Sequence, residues 1–300
     1  VNSHINGRTR LAGVIGWPLE HTLSPAMHNA VYEDLELDWV YVPLPVQDEP
    51  GLMRVIAAIR VLPFVGFNIT MPFKQSMLAM CDEVAMMAKM AGAVNTVHVV
   101  DGRLIGYNTD GRGLVESVET ELGFSPEGKD VVLLGAGGAA GAATVSLILA
   151  KVASITVVNR SVERAEELIG RIEAHARGAV CRAAALGSDA EEWVRSADLV
   201  VNATPLGMKP DDPTPVPIEW LGPGQSVIDM IYGPEPTRLV SEAIERGASA
   251  IGGLGMLVAQ GATAVDIWSE SAQIRTSREV MRQAAEAALA ARPAEGGAQR

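Results

Sequence analysis

Four short polar segments within the first 111 residues carry side chains that can do chemistry. They are His21-Thr22-Leu23-Ser24-Pro25, Asn68-Ile69-Thr70-Met71-Pro72-Phe73-Lys74, Gly92-Ala93-Val94-Asn95-Thr96 and Asn108-Thr109-Asp110-Gly111. Together they offer hydroxyls, amides, one lysine and one aspartate, a donor and acceptor set suited to a small polyhydroxylated ligand. Lys74 and Asp110 are the members able to move a proton. An ionised Asp110 near Lys74 would orient the ammonium and favour its charged form, which suits proton transfer at an alcohol or ketone. Each residue also has an ordinary reading. Ser24 caps a helix begun by Pro25, Asp110 caps another, and Lys74 sits on a surface helix. Four such loops close together in sequence favour a site over coincidence.

A second pattern is Gly135-Ala136-Gly137-Gly138-Ala139-Ala140, which follows an apolar strand and opens an Ala-rich helix. Glycines there let the chain turn tightly and bring backbone N–H groups to a pyrophosphate. A glycine-rich turn can also be mere packing, so the next strand decides. An NAD site places Asp or Glu about 20 residues further on, for the ribose 2′-hydroxyl. Here that strand ends in Asn159-Arg160-Ser161, with Arg164 one helical turn beyond. Two guanidiniums and a hydroxyl suit the 2′-phosphate of NADP. Glu163 lies between the arginines and is expected to face solvent.

The elements that would hold these groups follow from the apolar pattern. Strands are expected at 11–16, 39–43 and 64–69, with helices at 25–35, 53–59, 73–80 and 111–122. Residues 94–100 and 103–107 flank Asp101-Gly102, a hairpin signal. From 129 onward the pattern becomes alternating strand and helix: strands at 130–134, 155–158, 199–202 and 227–231, a long helix from the glycine turn at 135–140 to about 150, another at 162–177, others near Glu191 and Leu239. That alternation implies a parallel sheet covered on both faces. Two more helices follow, one after Gly255 and one over 277–291. Met77, Met80, Met86, Met87 and Met90 fall at near-helical spacing and are expected to pack in the core. The polar tail from Arg292 to Arg300 is expected to be disordered.

Composition narrows the partners. The chain has 300 residues and 48% hydrophobic content, with a mean hydropathy of +0.18. That suggests two globular domains. Lys plus Arg total 24 against 36 for Asp plus Glu, a net charge of −12. Such a surface repels phosphate backbones, which argues against nucleic acid as a partner. Two cysteines make no disulfide framework, and the five histidines are scattered without metal-ligand spacing. No apolar run is long enough to span a membrane and the N-terminus lacks a signal-peptide core, so a soluble cytoplasmic protein is expected.

With these residues in view, the whole chain resembles the shikimate dehydrogenase family. The matching motifs are GWPLEHTLSPAMHN from Gly16 to Asn29, GFNITMPFK from Gly66 to Lys74, GAVNT from Gly92 to Thr96 and GYNTDG from Gly106 to Gly111. The glycine turn comes next, then NATPLGM from Asn202 to Met208, DMIY from Asp229 to Tyr232 and GLGMLVAQ from Gly253 to Gln260. The resemblance implies a two-domain α/β fold, with an N-terminal α/β substrate domain and a Rossmann-type doubly wound parallel sheet. The substrate domain would be 1–110 plus 254–300, and the NADP-binding domain 111–253. It implies NADPH-dependent reduction of 3-dehydroshikimate to shikimate, by a monomer or homodimer. Lys74 and Asp110 would be the catalytic pair. Thr22, Ser24, Thr70, Asn95, Tyr232 and Gln260 would hold the substrate. Gly135, Ala136, Gly137, Gly138, Ala139, Asn159, Arg160, Ser161 and Arg164 would bind the adenosine end of NADP, with Thr204, Met230 and Gly253 towards the nicotinamide. Thr22 stands where the family usually has Ser, which keeps quinate, or quinate and shikimate together, as the alternative substrate. A non-catalytic nucleotide-binding module would be expected to lack Lys74 or Asp110, and both are present.

Overall fold

A computed structural model of the protein describes residues 5–176, 178–209, 211–270 and 276–292. The chain builds two six-stranded sheets in succession. The first part runs β1 (Arg10–Gly16), α1 (Ser24–Asp34), β2 (Trp39–Pro45), α2 (Glu49–Ile59), β3 (Phe64–Ile69), α3 (Met77–Met80), β4 (Glu83–Val84), α4 (Met86–Ala91), β5 (Thr96–Val100) and β6 (Arg103–Tyr107). Its strand order is β2-β1-β3-β5-β6-β4. β1 is parallel to β2 and β3, whereas β5 is antiparallel to both β3 and β6. The hairpin joining β5 and β6 turns at Asp101 and Gly102, with φ of 51° and 75°. A two-residue hairpin turn of this hand needs positive φ at both positions.

α5 (Asp110–Glu121) leads into the second sheet. There follow β7 (Asp130–Leu134), α6 (Gly138–Leu149), β8 (Ser154–Asn159), α7 (Val162–Ile172), β9 (Val180–Ala185), α8 (Ser188–Ser196), β10 (Leu199–Asn202), β11 (Ser226–Asp229), α9 (Arg238–Glu245) and β12 (Ser249–Ile251). The order is β12-β11-β10-β7-β8-β9, and every pairing is parallel. Strands buried on both faces explain the unbroken apolar runs at β7 and β8. The outer strands β9 and β12 were not expected. β9 is half-exposed and β12 has three residues, so neither shows a continuous apolar run.

α10 (Leu254–Ser269) and α11 (Arg278–Ala290) then return to the first sheet. Val258, Val265, Trp268, Met281 and Leu289 share one apolar cluster with Met27 and Tyr32 of α1 and Trp39 of β2. A separate cluster joins Leu114 and Val118 of α5 to the second sheet, with Met256 of α10 among its members. α5 and α10 cross closely: a Cβ at Gly113 would lie 2.7 Å from the Met256 carbonyl oxygen. Among the described residues no helix is long and apolar enough to cross a membrane.

Several local expectations are corrected. The helix expected over 73–80 is helical only from Met77 to Met80. Lys74 lies in turns because its carbonyl accepts from Val94 N across the fold, at 2.8 Å, rather than from a following helical N–H. Ser24 does not cap α1. It is the first helical residue, Leu23 is the cap, and the Ser24 N–H donates to Thr22 Oγ1 at 3.3 Å. Asp110 likewise is not a cap: it begins α5 and its own N–H donates to Asn108 Oδ1 at 3.0 Å. α7 stops at Ile172 and continues as a short 3-10 turn to His175, and Arg177 lies outside the described residues. β11 ends at Asp229 because its carboxylate takes the Ile231 N–H at 3.1 Å. Met77 and Met90 are buried as expected, but Met86, at the start of α4, is 62% exposed. Of the tail, residues 293–300 lie outside the described residues.

Candidate active site

The ends of β1 and β3, the loops entering β5 and α5, and one face of α10 converge on a cleft of about 340 Å³. All the side chains expected on the substrate side line it: Thr22, Ser24, Thr70, Lys74, Asn95 and Asp110 from the first part of the chain, Tyr232 and Gln260 from the later part. Ala139, Met230 and Gly253, expected on the cofactor side, reach the same cleft. Trp17, Met71 and Met208 also line it and stay 41%, 57% and 59% exposed. Composition gave no sign of this apolar rim.

Lys74 Nζ donates to Asp110 Oδ2 at 2.7 Å, and Asn95 Nδ2 donates to Asp110 Oδ1 at 2.7 Å. Both carboxylate oxygens are thus occupied, in a residue 5% exposed. The amide of Asn95 is fixed in turn. Its Oδ1 accepts from Thr109 N at 2.8 Å and from the Thr96 hydroxyl at 3.0 Å. Gln260 Oε1 stands 3.4 Å from Asn95 Nδ2, while Gln260 Nε2 donates to the Leu257 carbonyl at 2.8 Å. Asn68 was noted in sequence without a role. It joins β3 to the network by donating to Thr96 Oγ1 at 3.0 Å and accepting from the Tyr41 hydroxyl at 2.8 Å. A network whose members are all hydrogen-bonded holds one geometry, because each rotamer is fixed by its neighbours. It leaves the Lys74 ammonium, whose side chain is 21% exposed, presented to the cleft with donor capacity to spare.

His28 lies under this site. Its ring stacks on Tyr41 with centroids 4.1 Å apart, and Nε2 has no hydrogen-bond partner. Complete burial pushes its pKa down to about 3, so it is a neutral packing element.

The other residues expected on the cofactor side lie at or after the ends of β7, β8 and β10. Gly135 has φ of +107°, and a Cβ there would approach the Ala203 carbonyl oxygen to 3.1 Å, so a side chain would be strained in its backbone and crowded against Ala203. Gly137 caps α6 and a Cβ on it would meet nothing within 4 Å, which leaves open space at a helix N-terminus. At Gly138 a Cβ would lie 3.2 Å from Ala93 Cβ and 4.0 Å from Lys74 Cβ, so the glycine turn abuts the lysine loop. Ala136 sits in that turn, packed against the second sheet's core. Arg160 and Arg164 are exposed and make no hydrogen bond or ion pair with the described residues. Glu163 is exposed as expected, but it is engaged. The Ser161 hydroxyl donates to Glu163 Oε2 at 2.6 Å, and this bond, with one from its own backbone N–H, holds the carboxyl below the usual range. Asn159 Nδ2 donates to the Ser161 carbonyl at 2.8 Å and shapes the turn. Thr204 is set back from the cleft, its hydroxyl donating to Asn202 Oδ1 at 2.7 Å.

Sequence reasoning missed the hub behind Thr204. Buried Asp229 accepts from Asn202 Nδ2 at 2.9 Å and from the Thr237 hydroxyl at 2.7 Å. It ties the 202–208 loop to the Met230–Tyr232 segment. Burial pushes the Asp229 carboxyl above the usual range, against these hydrogen bonds. The signal was available in DMIY, where an aspartate ends a buried strand.

Fold and site define a class: a two-sheet α/β oxidoreductase with a glycine turn at a helix N-terminus beside a Lys–Asp pair. Residues 14–97 match the family described as shikimate dehydrogenase substrate binding domain, and residues 116–206 that described as shikimate / quinate 5-dehydrogenase. The NADP(+)-type shikimate dehydrogenase of Geobacter sp. (strain M21) is 44% identical over 266 residues, covering 88% of this chain and 91% of the relative. The shikimate 5-dehydrogenase of Thermus thermophilus, solved with NADP(H) and shikimate, superposes with a TM-score of 0.82 at 34% identity, covering 93% of this chain and all of that one. A 5-ketofructose reductase of Gluconobacter sp. strain CHM43 is also similar, with a TM-score of 0.82 at 36% identity over 94% of this chain and 100% of its own. The chain belongs to the shikimate dehydrogenase family.

Proposed function

We propose that this chain catalyses the reversible, NADP-dependent interconversion of 3-dehydroshikimate and shikimate. The observation that carries the reading is the Lys74–Asp110 contact of 2.7 Å inside a cleft lined with hydroxyls and amides. The adjoining glycine turn fits a dinucleotide: Gly137 leaves room for a pyrophosphate at the N-terminus of α6, and Arg160 and Arg164 form no ion pair with the described residues. NADPH, when bound, supplies the hydride that adds to the substrate carbonyl carbon. Lys74 donates a proton to the carbonyl oxygen as negative charge grows there, and takes it back in the oxidative direction. Asp110 holds the ammonium in place and keeps it charged; Asn95 holds Asp110, and Thr109 holds Asn95. Ser24 and Thr22 bind the carboxylate end, and Thr70, Tyr232 and Gln260 the remaining oxygens.

The division into a substrate unit, 1–110 plus 254–300, and an NADP unit, 111–253, belongs to the same proposal. The apolar cluster shared by α1, α10 and α11 supports it. A small-molecule partner, no nucleic acid, and a monomer or homodimer in the cytoplasm complete it; the cysteines Cys81 and Cys181 are free, as a reducing compartment allows. Initial rates with shikimate and quinate, each with NADP and NAD, test the reading. Shikimate with NADP is expected to be the most efficient pair. Faster turnover of quinate, or no turnover of either acid, overturns it.

A further inference from the structure

One cation beside the cleft, outside its lining, stands apart from the Lys74–Asp110 pair. α11 ends at Ala290, and Arg292, just beyond it, donates from Nη2 to the carbonyl oxygen of His21. That carbonyl lies in the loop between β1 and α1, next to Thr22, and His21, Thr22 and Tyr232 line the same cleft. The Arg292 charge is felt at the Tyr232 phenol, where it opposes the rise that burial imposes. Arg292 therefore sits beside the loop that carries Thr22 and within electrostatic reach of Tyr232. Met281 and Leu289 anchor α11, the helix that precedes Arg292, in the cluster that contains Met27 of α1.

Other arginines of α11 are neutralised: Arg278 pairs with Glu116, and Arg282 with Glu121 at 2.7 Å. Arg292 has no carboxylate partner among the described residues, and one bond to a carbonyl leaves most of its guanidinium donors unused. Within the cleft Lys74 already has Asp110 as counter-ion, and Thr22, Ser24 and Tyr232 are neutral. The residues lining the cleft therefore offer an entering carboxylate no uncompensated lysine or arginine, in a protein of net charge −12, and Arg292 stands just outside that lining, bonded to the His21 carbonyl.

We propose that Arg292 is a specificity residue that reads the carboxylate of the substrate, with its guanidinium anchored on the His21 carbonyl beside Thr22. It selects acids over uncharged analogues of the same ring and leaves the chemical step to Lys74. The inference rests on the proposed function, which supplies a carboxylate-bearing substrate. A guanidinium suits this role because its planar fork matches a carboxylate while one N–H stays committed elsewhere.

The test compares shikimate with its uncharged methyl ester, both with NADP, in wild type, R292Q and R292K. Arg292→Gln retains a donor for the His21 carbonyl and removes the charge. The ratio of kcat/KM for acid over ester is expected to fall about tenfold in R292Q, mostly through KM for the acid, and to stay within about threefold of wild type in R292K. Added salt should weaken wild-type selectivity for the acid more than that of R292Q. An equal loss for acid and ester in R292Q makes Arg292 a clamp on the loop and overturns the inference, as does an unchanged ratio. A wild type that turns over neither compound overturns the proposed function itself and this inference with it. A wild type active on shikimate with an unmoved R292Q ratio overturns this inference alone.

Discussion

Lys74→Ala, Asp110→Asn and their combination form a cycle that tests the proton-transfer assignment. Lys74 Nζ and Asp110 Oδ2 are 2.7 Å apart, with Asp110 buried and the lysine side chain 21% exposed. Removing Lys74 removes the proton donor, and lost general acid–base help is typically about 10²–10⁴-fold in kcat. Asp110→Asn does something different. The new amide must present its oxygen to Asn95 or to Lys74 and its NH2 group to the other, so one of the two donors loses its acceptor. A hydrogen bond between charged groups is worth about 1.5–3 kcal/mol net, so kcat should fall about 10–150-fold. Asp110 acts through Lys74, so the double variant should be no slower than Lys74→Ala by more than about threefold. The assay is NADPH absorbance at saturating shikimate and NADP, with folding checked by circular dichroism. Two outcomes refute the reasoning. A Lys74→Ala enzyme with wild-type kcat and a raised KM makes Lys74 a binding residue. A double variant slowed by the product of the single effects shows two residues acting independently.

The remaining predictions concern binding and stability. Thr22→Val keeps the shape, removes the Ser24 N–H acceptor and the donor to the carboxylate, and should raise KM for shikimate about 10–150-fold, whereas Thr22→Ser should keep KM near wild type; steady-state kinetics read both. Arg160→Ala/Arg164→Ala should lower the NADP over NAD ratio of kcat/KM by about two to four powers of ten, with NAD use little changed. Glu163→Ala should raise that ratio, because it frees the Ser161 hydroxyl and removes a carboxylate beside the 2′-phosphate site; a lowered ratio would place Glu163 on the wrong side of the argument. His28 is held neutral down to pH about 3, while the unfolded chain protonates it near its ordinary value of 6.5. Its contribution is therefore intact above pH about 6.5 and is lost as pH falls towards 3, at up to about 1.4 kcal/mol per pH unit. Urea unfolding between pH 7 and 5 should show a shallower pH slope in His28→Phe, and an identical slope would contradict the burial account.

The parallel sheet was legible because its strands are buried on both faces, which writes unbroken apolar runs such as Val131–Leu134 into the sequence. The hairpin was legible because Asp101-Gly102 satisfies a demand for positive φ that few residue pairs meet. β9 and β12 were not legible, since edge strands take their pairing from a neighbour and need no apolar signature of their own. The polar residues of the cleft could be found in sequence because they cluster in loops after strands. What the sequence did not show was who holds them. Asn68, Thr109, Asn202 and Asp229 act through partners far away along the chain, and such pairings have no local period.

The two corrected caps share one cause. In an ordinary N-terminus, Ser24 or Asp110 would spend its side-chain oxygen on the first backbone N–H groups of its own helix. Here a residue two positions upstream does part of that work: Thr22 Oγ1 takes the Ser24 N–H, and Asn108 Oδ1 takes the Asp110 N–H. The Ser24 and Asp110 side chains are released to face the cleft while still sitting at positive helix ends. Asn108 is fixed in turn by donating to the Ala93 carbonyl at 2.9 Å, which draws the α5 start against the loop that carries Asn95. Local propensity reads Ser24 and Asp110 as caps, because serine and aspartate at helix starts usually are. The structure departs from that reading at two residues to which the proposed reaction assigns side-chain roles, which is where a local rule is expected to yield to function.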